Sequence, residues 1–275
     1  MAEPGDGRGR ADLHIHTVAS DGTATVTAIL DHVERHTDLA VIGIADHERI
    51  DAALAARTIA CDRDLRVEVV VGEEVTTLGG HLLALYIDRP IRPYRSLRAT
   101  IAAVHEAGGL AIPAHPLVPY PLCAQGWVLR RLLDDPDPAV RPDALETFNP
   151  TMLGRPAHKR VTEFADERGL AHIGNSDAHA LAAIASGWTS FPGSSAADLR
   201  RAIGARTTEH GGTFHPTVGQ LGTFGQQLRK RGRDARDELT GRLRRDGTGR
   251  DHGYPGGRLR PPRFEAAGPE ERRRS

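Results

Sequence analysis

The sequence has few of the features that mark secreted, membrane-bound or nucleic-acid-coating proteins. Its 275 residues include two cysteines, too few for a disulfide framework, which favours a reducing compartment. No run approaches the roughly 18 apolar residues of a membrane span, and the N terminus has no apolar signal region. Lys and Arg number 36, as do Asp and Glu, so no net charge favours general binding to nucleic acid or membranes. We therefore expect a cytoplasmic protein without a membrane partner.

Lysine is scarce as well, at two residues, whereas histidine is abundant, at 14. Charge is uneven along the chain: residues 216–275, rich in Gly and Arg, hold 15 Lys and Arg against 8 Asp and Glu. We predict a mostly disordered basic tail over 216–275, a disordered N terminus over 1–10 and one domain over 11–215. The tail could tether nucleic acid, but we favour a solvated tail. No pattern predicts an oligomeric state.

Residues 11–215 alternate short apolar runs with helical patterns, which is typical of repeated βα units around a parallel sheet. No internal sequence repeat is visible, so a closed or nearly closed βα barrel fits better than a solenoid. The predicted strands cover 11–15, 39–45, 67–75, 81–87, 110–114, 144–147 and 171–174. The predicted helices lie near 24–36, 49–62, 94–108, 125–134, 155–168 and 196–206.

Clusters of His, Asp and Glu follow these strands, where barrel enzymes place their active sites. His14 and His16 are two apart on the first strand, so both imidazoles point to the same side and can bind one metal ion. Asp21 follows them, either as a ligand or as the N-cap of the next helix. One of the adjacent Glu73 and Glu74 is a second candidate, because a carboxylate among apolar strand residues needs a partner.

Further clusters follow the other strands. Together the clusters suit two or three divalent ions that share a bridging carboxylate. The remaining candidates are Asp46 and His47 after the second strand, His81 across a hairpin, His115 after the fifth strand, and Asp177 and His179 after the last.

In this order the motifs resemble those of the PHP (polymerase and histidinol phosphatase) family. The resemblance covers about residues 12–192 and rests on His14-x-His16 with Asp21-Gly22, Asp46-His47, Gly72-x-Glu74-Val75, His81, His115-Pro116 and Ser176-Asp177-Ala178-His179. It implies an α/β fold, a distorted seven-stranded (β/α) TIM-like barrel, with two or three Mn, Fe or Zn ions. It also implies hydrolysis of a phosphate monoester, in a nucleotide or another small phosphorylated metabolite, by a metal-activated hydroxide.

The resemblance also implies a role for each candidate ligand. The first ion would be bound by His14, His16, Glu74 and Asp177, the second by Glu74, His81 and His115, and the third by Asp21, His47 and His179. Glu74 would bridge, whereas strand alternation places Glu73 on the opposite side, facing solvent or a helix. Asp21 with the third ion, or His179, would protonate the leaving group, so Asp21, Glu74 and His179 are the predicted catalytic residues.

Substrate-binding residues are expected after the sixth strand. Asn149 lies at its end, and Arg155 in the next loop could bind a second phosphate or a carboxylate, or could be an ordinary surface arginine. Two other functions compete. An amidohydrolase also opens with His-x-His, but many use a carbamylated lysine, and neither Lys159 nor Lys230 lies at a strand end. The other is a module that binds nucleic acid, or processes its ends, with the basic tail.

Overall fold

Strands and helices alternate along the chain, as the spacing of the apolar runs predicts. The computed structural model describes residues 7–151 and 154–214. Within this part of the chain the strands are β1 Arg8–Ile15, β2 Val41–Ile44, β3 Glu68–Thr77, β4 Gly80–Leu85, β5 Leu110–Pro113, β6 Ala144–Phe148, β7 Ala171–Gly174, β8 Gly187–Pro192 and β9 Glu209–Gly212. The α-helices are α1 Val26–His36, α2 Asp51–Asp62, α3 Leu97–Glu106, α4 Gly126–Leu133, α5 His158–Arg168 and α6 Ala196–Ala205.

Seven of the described strands form one curled sheet in the order β5-β4-β3-β2-β1-β8-β9, and β6 pairs with β7. Strands β1, β2 and β3 run parallel, and β4 is antiparallel to both β3 and β5. The β6–β7 pair lies between β5 and β1. The backbone N–H of Asp143, just before β6, donates to the carbonyl of Ala111 on β5, and that of Ala178, after β7, donates to the carbonyl of His14 on β1. The predicted α/β fold is confirmed, and its sheet is a curled half-barrel that contains both parallel and antiparallel strands.

All seven predicted strands are present, and β8 and β9 are additional. The predicted disordered N terminus is wrong for its last three residues, because β1 begins at Arg8. There β1 pairs antiparallel with β8, from Arg8 opposite Pro192 to Ala11 opposite Thr189. The predicted tail, 216–275, lies outside the described residues. No helix of the described part is long and apolar enough to cross a membrane.

The inside of the curl is filled by apolar side chains from five strands. Leu13, Val70, Leu83, Ile112 and Ile173 belong to one buried cluster. The helices pack against the outer face of the strands, where a second cluster includes residues of α1, α2, α3 and α5. This apolar layer supports the polar residues at the carboxyl ends of the strands, where the predicted site lies.

Candidate metal centre

The structure brings all nine predicted ligands together at one rim of the curl. Six of the strands β1–β7 run in the same direction and end at this rim, while β4 runs in the opposite direction and begins there. His81, the second residue of β4, therefore joins residues that follow the carboxyl ends of the other strands. Each of the nine is found in at least one group whose possible ligand atoms lie within 4.8 Å of one another.

Glu74 is at the centre of this arrangement. Its Oε1 lies 2.7 Å from His81 Nδ1 and 3.0 Å from His115 Nε2. Its Oε2 lies 3.4 Å from His14 Nε2, 3.5 Å from His16 Nε2 and 3.4 Å from His47 Nδ1. The two carboxylate oxygens thus face two different sets of imidazoles.

The remaining two carboxylates complete the other donor groups. Asp177 Oδ1 lies 3.5 Å from both His14 Nε2 and His16 Nε2. Asp21 Oδ1 lies 3.2 Å from His179 Nε2, and its Oδ2 lies 3.7 Å from His47 Nε2. Asp21 Oδ1 also lies 3.5 Å from His16 Nδ1, so Asp21 is near one ring nitrogen of His16 and Asp177 is near the other.

A bulge in β1 aims its two histidines at the rim. The pairing of β1 with β2 shifts register between Asp12 and Ile15, so one strand has an extra residue there. Leu13 packs inside the curl and His14, the next residue, also reaches the interior at Glu74. Bulges of this kind commonly redirect side chains next to active sites.

Asp21 does not cap the first helix, which was the alternative to its role as a ligand. The N-cap of α1 is Thr25, whose side chain accepts from the backbone N–H of Ala28. Asp21 lies earlier, in a turn in which Gly22 donates to the carbonyl of Thr17. A side chain at Gly22 would overlap the backbone of His16, so the turn needs glycine there.

Charge and burial in the cluster fit cations. Burial opposes the ionisation of Glu74, but His81, His47 and His14 hold its pKa well below its usual range. Burial also disfavours protonated His14, yet Asp177, Glu146 and Glu74 raise its pKa well above its usual range. The raised pKa of His14 therefore favours an imidazolium that offsets part of the charge of the carboxylates around it.

Unpartnered ring nitrogens support the same conclusion. Among the described residues, His14 Nε2, His16 Nε2 and His81 Nδ1 are buried and have no hydrogen-bond partner. His81 Nδ1 is 2.7 Å from Glu74 but is badly aligned for a hydrogen bond, so we regard this pair as two ligand atoms facing a common point. Imidazole and carboxylate donors suit divalent transition metals, and the residues present fit such ions.

Three buried carboxylates support the ligands, and of these only Asp46 was among the candidates that the sequence indicated. Asp46 accepts from the backbone and hydroxyl of Thr17, both at 2.7 Å, and from Ser20. Asp12 accepts from the backbone and hydroxyl of Ser176, and burial raises its pKa to about 6. The third, Glu146, contacts His14. Asp12 and Asp46 are each within two residues of a predicted ligand in the sequence, which is a signal that could have suggested a supporting role.

Glu73 points away from the rim, as strand alternation predicts, but it does not face solvent. It is fully buried and accepts from the backbone N–H of Ile91. Burial, together with the nearby Glu48, raises the pKa of Glu73 to about 7 against the lowering effect of the Ile91 hydrogen bond. The expected solvent-facing or helix-facing charge is therefore wrong: the segment after β4 covers this side chain.

The two predicted substrate residues lie in different surroundings. Asn149 is buried, and its side-chain amide donates to Glu146 at 3.1 Å and to Asp177 at 3.3 Å. Its amide thus supports the ligands. Arg155 is exposed and lies over the ring of Phe214, with 5.4 Å from its guanidinium carbon to the ring centre. Among the residues that the structure describes, no contact joins Arg155 to the nine ligands.

Comparison with known proteins identifies a matching family model and a relative of similar sequence. A family model described as PHP-associated matches residues 155–208. The uncharacterized protein MJ1587 of Methanocaldococcus jannaschii is 32% identical over 120 residues, which cover 40% of this chain and 69% of that protein.

Two solved structures share the fold. A two-domain protein from Bacteroides vulgatus, which contains a predicted PHP-like metal-dependent phosphoesterase, aligns with TM-score 0.63 and 18% identity. The alignment covers 76% of this chain and 66% of that one, so this chain spans slightly under two thirds of its length. PsfC from Pseudomonas syringae aligns with TM-score 0.58 and 18% identity, over 80% of this chain and 98% of that one.

Proposed function

The chain belongs to the PHP family, and from that premise we propose that it hydrolyses the phosphate monoester of a nucleotide or another small phosphorylated metabolite. The observation that carries the proposal is the position of Glu74. One of its oxygens faces His81 and His115, and the other faces the histidines of β1 and His47. A carboxylate placed in this way suits a bridge between neighbouring divalent ions.

When bound, two or three Mn, Fe or Zn ions would lower the pKa of a shared water and neutralise charge on the phosphoryl oxygens. His14, His16, Glu74 and Asp177 would hold one ion, and His81 and His115 would join Glu74 at another. Asp21, His47 and His179 would hold the third. The proton for the leaving-group oxygen would come from a water that Asp21 orients beside the third ion, or from His179 when its ring is not bound to that ion.

The apolar interior supports hydrolysis at the rim. Leu13, Val70 and Leu83 belong to the buried apolar cluster inside the curl, so a substrate would not reach the ligands through the interior. The buried hydrogen bonds around Asp12 and Asp46 hold the loops after β1, β2 and β7. Such support reduces the reorganisation that the site would need as charge develops on phosphorus.

An amidohydrolase with a carbamylated lysine is not favoured by the placement of Lys159. Its side chain is 88% exposed on α5 and lies 3.7 Å from Glu163, its neighbour one turn along the helix. The other lysine, Lys230, lies outside the described residues. Within the part that the structure describes, no lysine is available as a bridging ligand.

The test is phosphate release by the full-length protein loaded with Mn²⁺. We expect release from at least one of AMP, 3′,5′-bisphosphoadenosine, histidinol phosphate and a 5′-phosphorylated oligonucleotide. Asp177→Asn removes a negative oxygen beside His14 and His16, and we expect it to lower kcat/KM by at least about 100-fold. Asp38→Asn, which alters an exposed pair with Arg10, is the matched control.

Three results would contradict the proposal. They are equal turnover by Asp177→Asn, turnover that does not depend on metal, and no release from any of the four substrates by fully loaded protein. The last result would favour a phosphodiester or an amide as the bond that is broken.

A further inference from the structure

Glu146, on β6, is a fully buried carboxylate that contacts two of the metal-site histidines without facing the metal site itself. We propose that Glu146 is a positioning residue that fixes His14, His115 and Asp177 relative to one another. The inference rests on the metal centre of the proposed function, but not on its substrate or on the bond that is broken.

The first oxygen of Glu146 orients the imidazole ring of His14. Glu146 Oε1 lies 2.9 Å from His14 Nδ1 and accepts from Asn175 Nδ2, also at 2.9 Å. An ionised carboxylate can only accept, so when His14 is neutral, as a metal ligand must be, the hydrogen-bond network places its proton on Nδ1. Nε2 is then left with its lone pair, directed at Glu74 and Asp177. Such carboxylate contacts orient metal-binding histidines and raise their basicity.

The second oxygen of Glu146 holds two other parts of the site. Glu146 Oε2 accepts from the backbone N–H of His115 at 2.6 Å and from Asn149 Nδ2 at 3.1 Å. His115 has φ of 32°, an unusual value for a residue other than glycine, so this hydrogen bond stabilises a backbone turn that needs support. The Asn149 amide also donates to Asp177 Oδ2 at 3.3 Å, which links Glu146 to a third ligand.

Four donors therefore surround one carboxylate, two at each oxygen, within the described part of the chain. Asn175 is itself fixed, because its Oδ1 accepts from the backbone N–H of Leu13 at 2.8 Å. Glu146 thus connects β1 with the loops after β5, β6 and β7. With its acceptor positions used, it is suited to orienting ligands rather than to binding an ion or taking part in the reaction.

The test is Glu146→Gln, which keeps the shape of the side chain but turns one acceptor oxygen into a donor amide. Two donors face each oxygen of this carboxylate. In the glutamine variant the amide N–H groups would face two of these donors and could not accept from them. We expect Zn²⁺ affinity, measured by competition with a chelator, to fall about 10- to 100-fold, the range usual for supporting residues. We also expect two-bond ¹H–¹⁵N spectra of the Zn²⁺-loaded protein to lose the Nδ1–H pattern of His14.

The matched control is Glu73→Gln, which changes another fully buried glutamate whose hydrogen bond is to Ile91 and to none of the nine ligands. It should retain wild-type Zn²⁺ affinity and the His14 pattern. If Glu146→Gln does not fold, Glu146→Asp keeps the buried charge but retracts the carboxylate from His14, and the same losses are expected. Wild-type affinity together with an unchanged His14 pattern in either folded variant would overturn the inference.

These readouts separate the inference from the proposed function. A protein that binds Zn²⁺ through a Glu146-dependent His14 but releases no phosphate would leave the inference standing and refute the proposed reaction. Phosphate release by the wild type, together with wild-type Zn²⁺ binding by Glu146→Gln, would support the proposed reaction and contradict the inference.

Discussion

Glu73 and Glu74 are adjacent on β3, but their surroundings affect ionisation in opposite ways. Glu74 faces five imidazoles, and those of His81, His47 and His14 keep its pKa well below the usual range despite burial. Glu73 faces the other side of the strand, where burial raises its pKa to about 7. A single residue step along a strand therefore separates a carboxylate suited to cations from one that is neutral below about pH 7.

This contrast predicts a pH-dependent effect of Glu73→Gln on folding stability. The pKa of Glu73 is raised from 4.5 to about 7, so the folded state binds more protons than the unfolded state between these values. The contribution is fully present below pH 4.5 and is lost as pH rises towards 7. The loss in wild type is up to roughly 3 kcal/mol, and the uncharged glutamine should not show it.

Urea unfolding at pH 5 and pH 8 measures this effect. From pH 5 to pH 8, the free energy of unfolding of Glu73→Gln should rise relative to that of the wild type. Because the metal-site residues titrate in both proteins, their contribution cancels in the difference. A difference that does not change with pH would show that Glu73 is ionised in the folded protein at both.

At the scale of elements, β4 is the strand that completes the rim, and its start depends on a glycine turn. Gly80 has φ of 118°, and a side chain there would overlap the backbone nitrogen of Ala124. The pairing of Thr76 with His81 fixes where β4 begins, and His81 also donates its backbone N–H to Leu122. The position of His81 at Glu74 is therefore a consequence of this turn.

We expect Gly80→Ala to destabilise the fold by more than about 1 kcal/mol, because it adds backbone strain and a steric overlap. It should also weaken Zn²⁺ binding, since His81 moves with the turn. Gly204→Ala is the matched control, because Gly204 lies within α6 with no atom within 4 Å of an added Cβ. This control should be neutral or stabilising, by up to about 1 kcal/mol. Thermal unfolding of both variants measures the difference, and equal melting temperatures would contradict the role of the turn.

Local patterns predict the elements that carry the site, because each of β1–β7 is an apolar run ended by polar or glycine residues. They do not predict β8 or β9. β9 is the short segment Glu209–Gly212, with two glycines and no buried residue, and it forms only because β8 provides pairing partners. The burial of Glu73 is equally non-local, since Ile91 comes from the segment after β4. Contacts between distant segments determine these features, and a local pattern cannot show them.

For the site, strand-end position indicated the candidate clusters and the resemblance to the PHP family selected the nine ligands, whereas the supporting residues were missed. Glu146 stands alone in its strand without a histidine beside it, so nothing in its local sequence distinguishes it from a surface glutamate. Asn149 was assigned to the substrate because it lies at a strand end, but its amide is used by Glu146 and Asp177. Proximity to the rim is therefore predictable from sequence, but the direction of each hydrogen bond is not.

At the scale of the whole molecule, every residue assigned to the site precedes residue 180. The strands that support it are complete by Gly212. The basic segment 216–275 lies outside the described residues, and we predicted that it is solvated and makes no contribution to chemistry. If so, the folded part and the tail should be separable by experiment.

We expect a chain ending at residue 214 to bind Zn²⁺ and to keep kcat/KM for a small phosphomonoester within about 2-fold of the full chain. For a 5′-phosphorylated oligonucleotide, a solvated tail predicts the same KM for both chains at low and high salt. If the tail instead holds nucleic acid, the full chain alone should have a low KM at low salt that rises steeply as salt releases the bound phosphates. Comparing the two chains across a salt series distinguishes these cases, because the small substrate reports on the metal centre and the oligonucleotide on the tail.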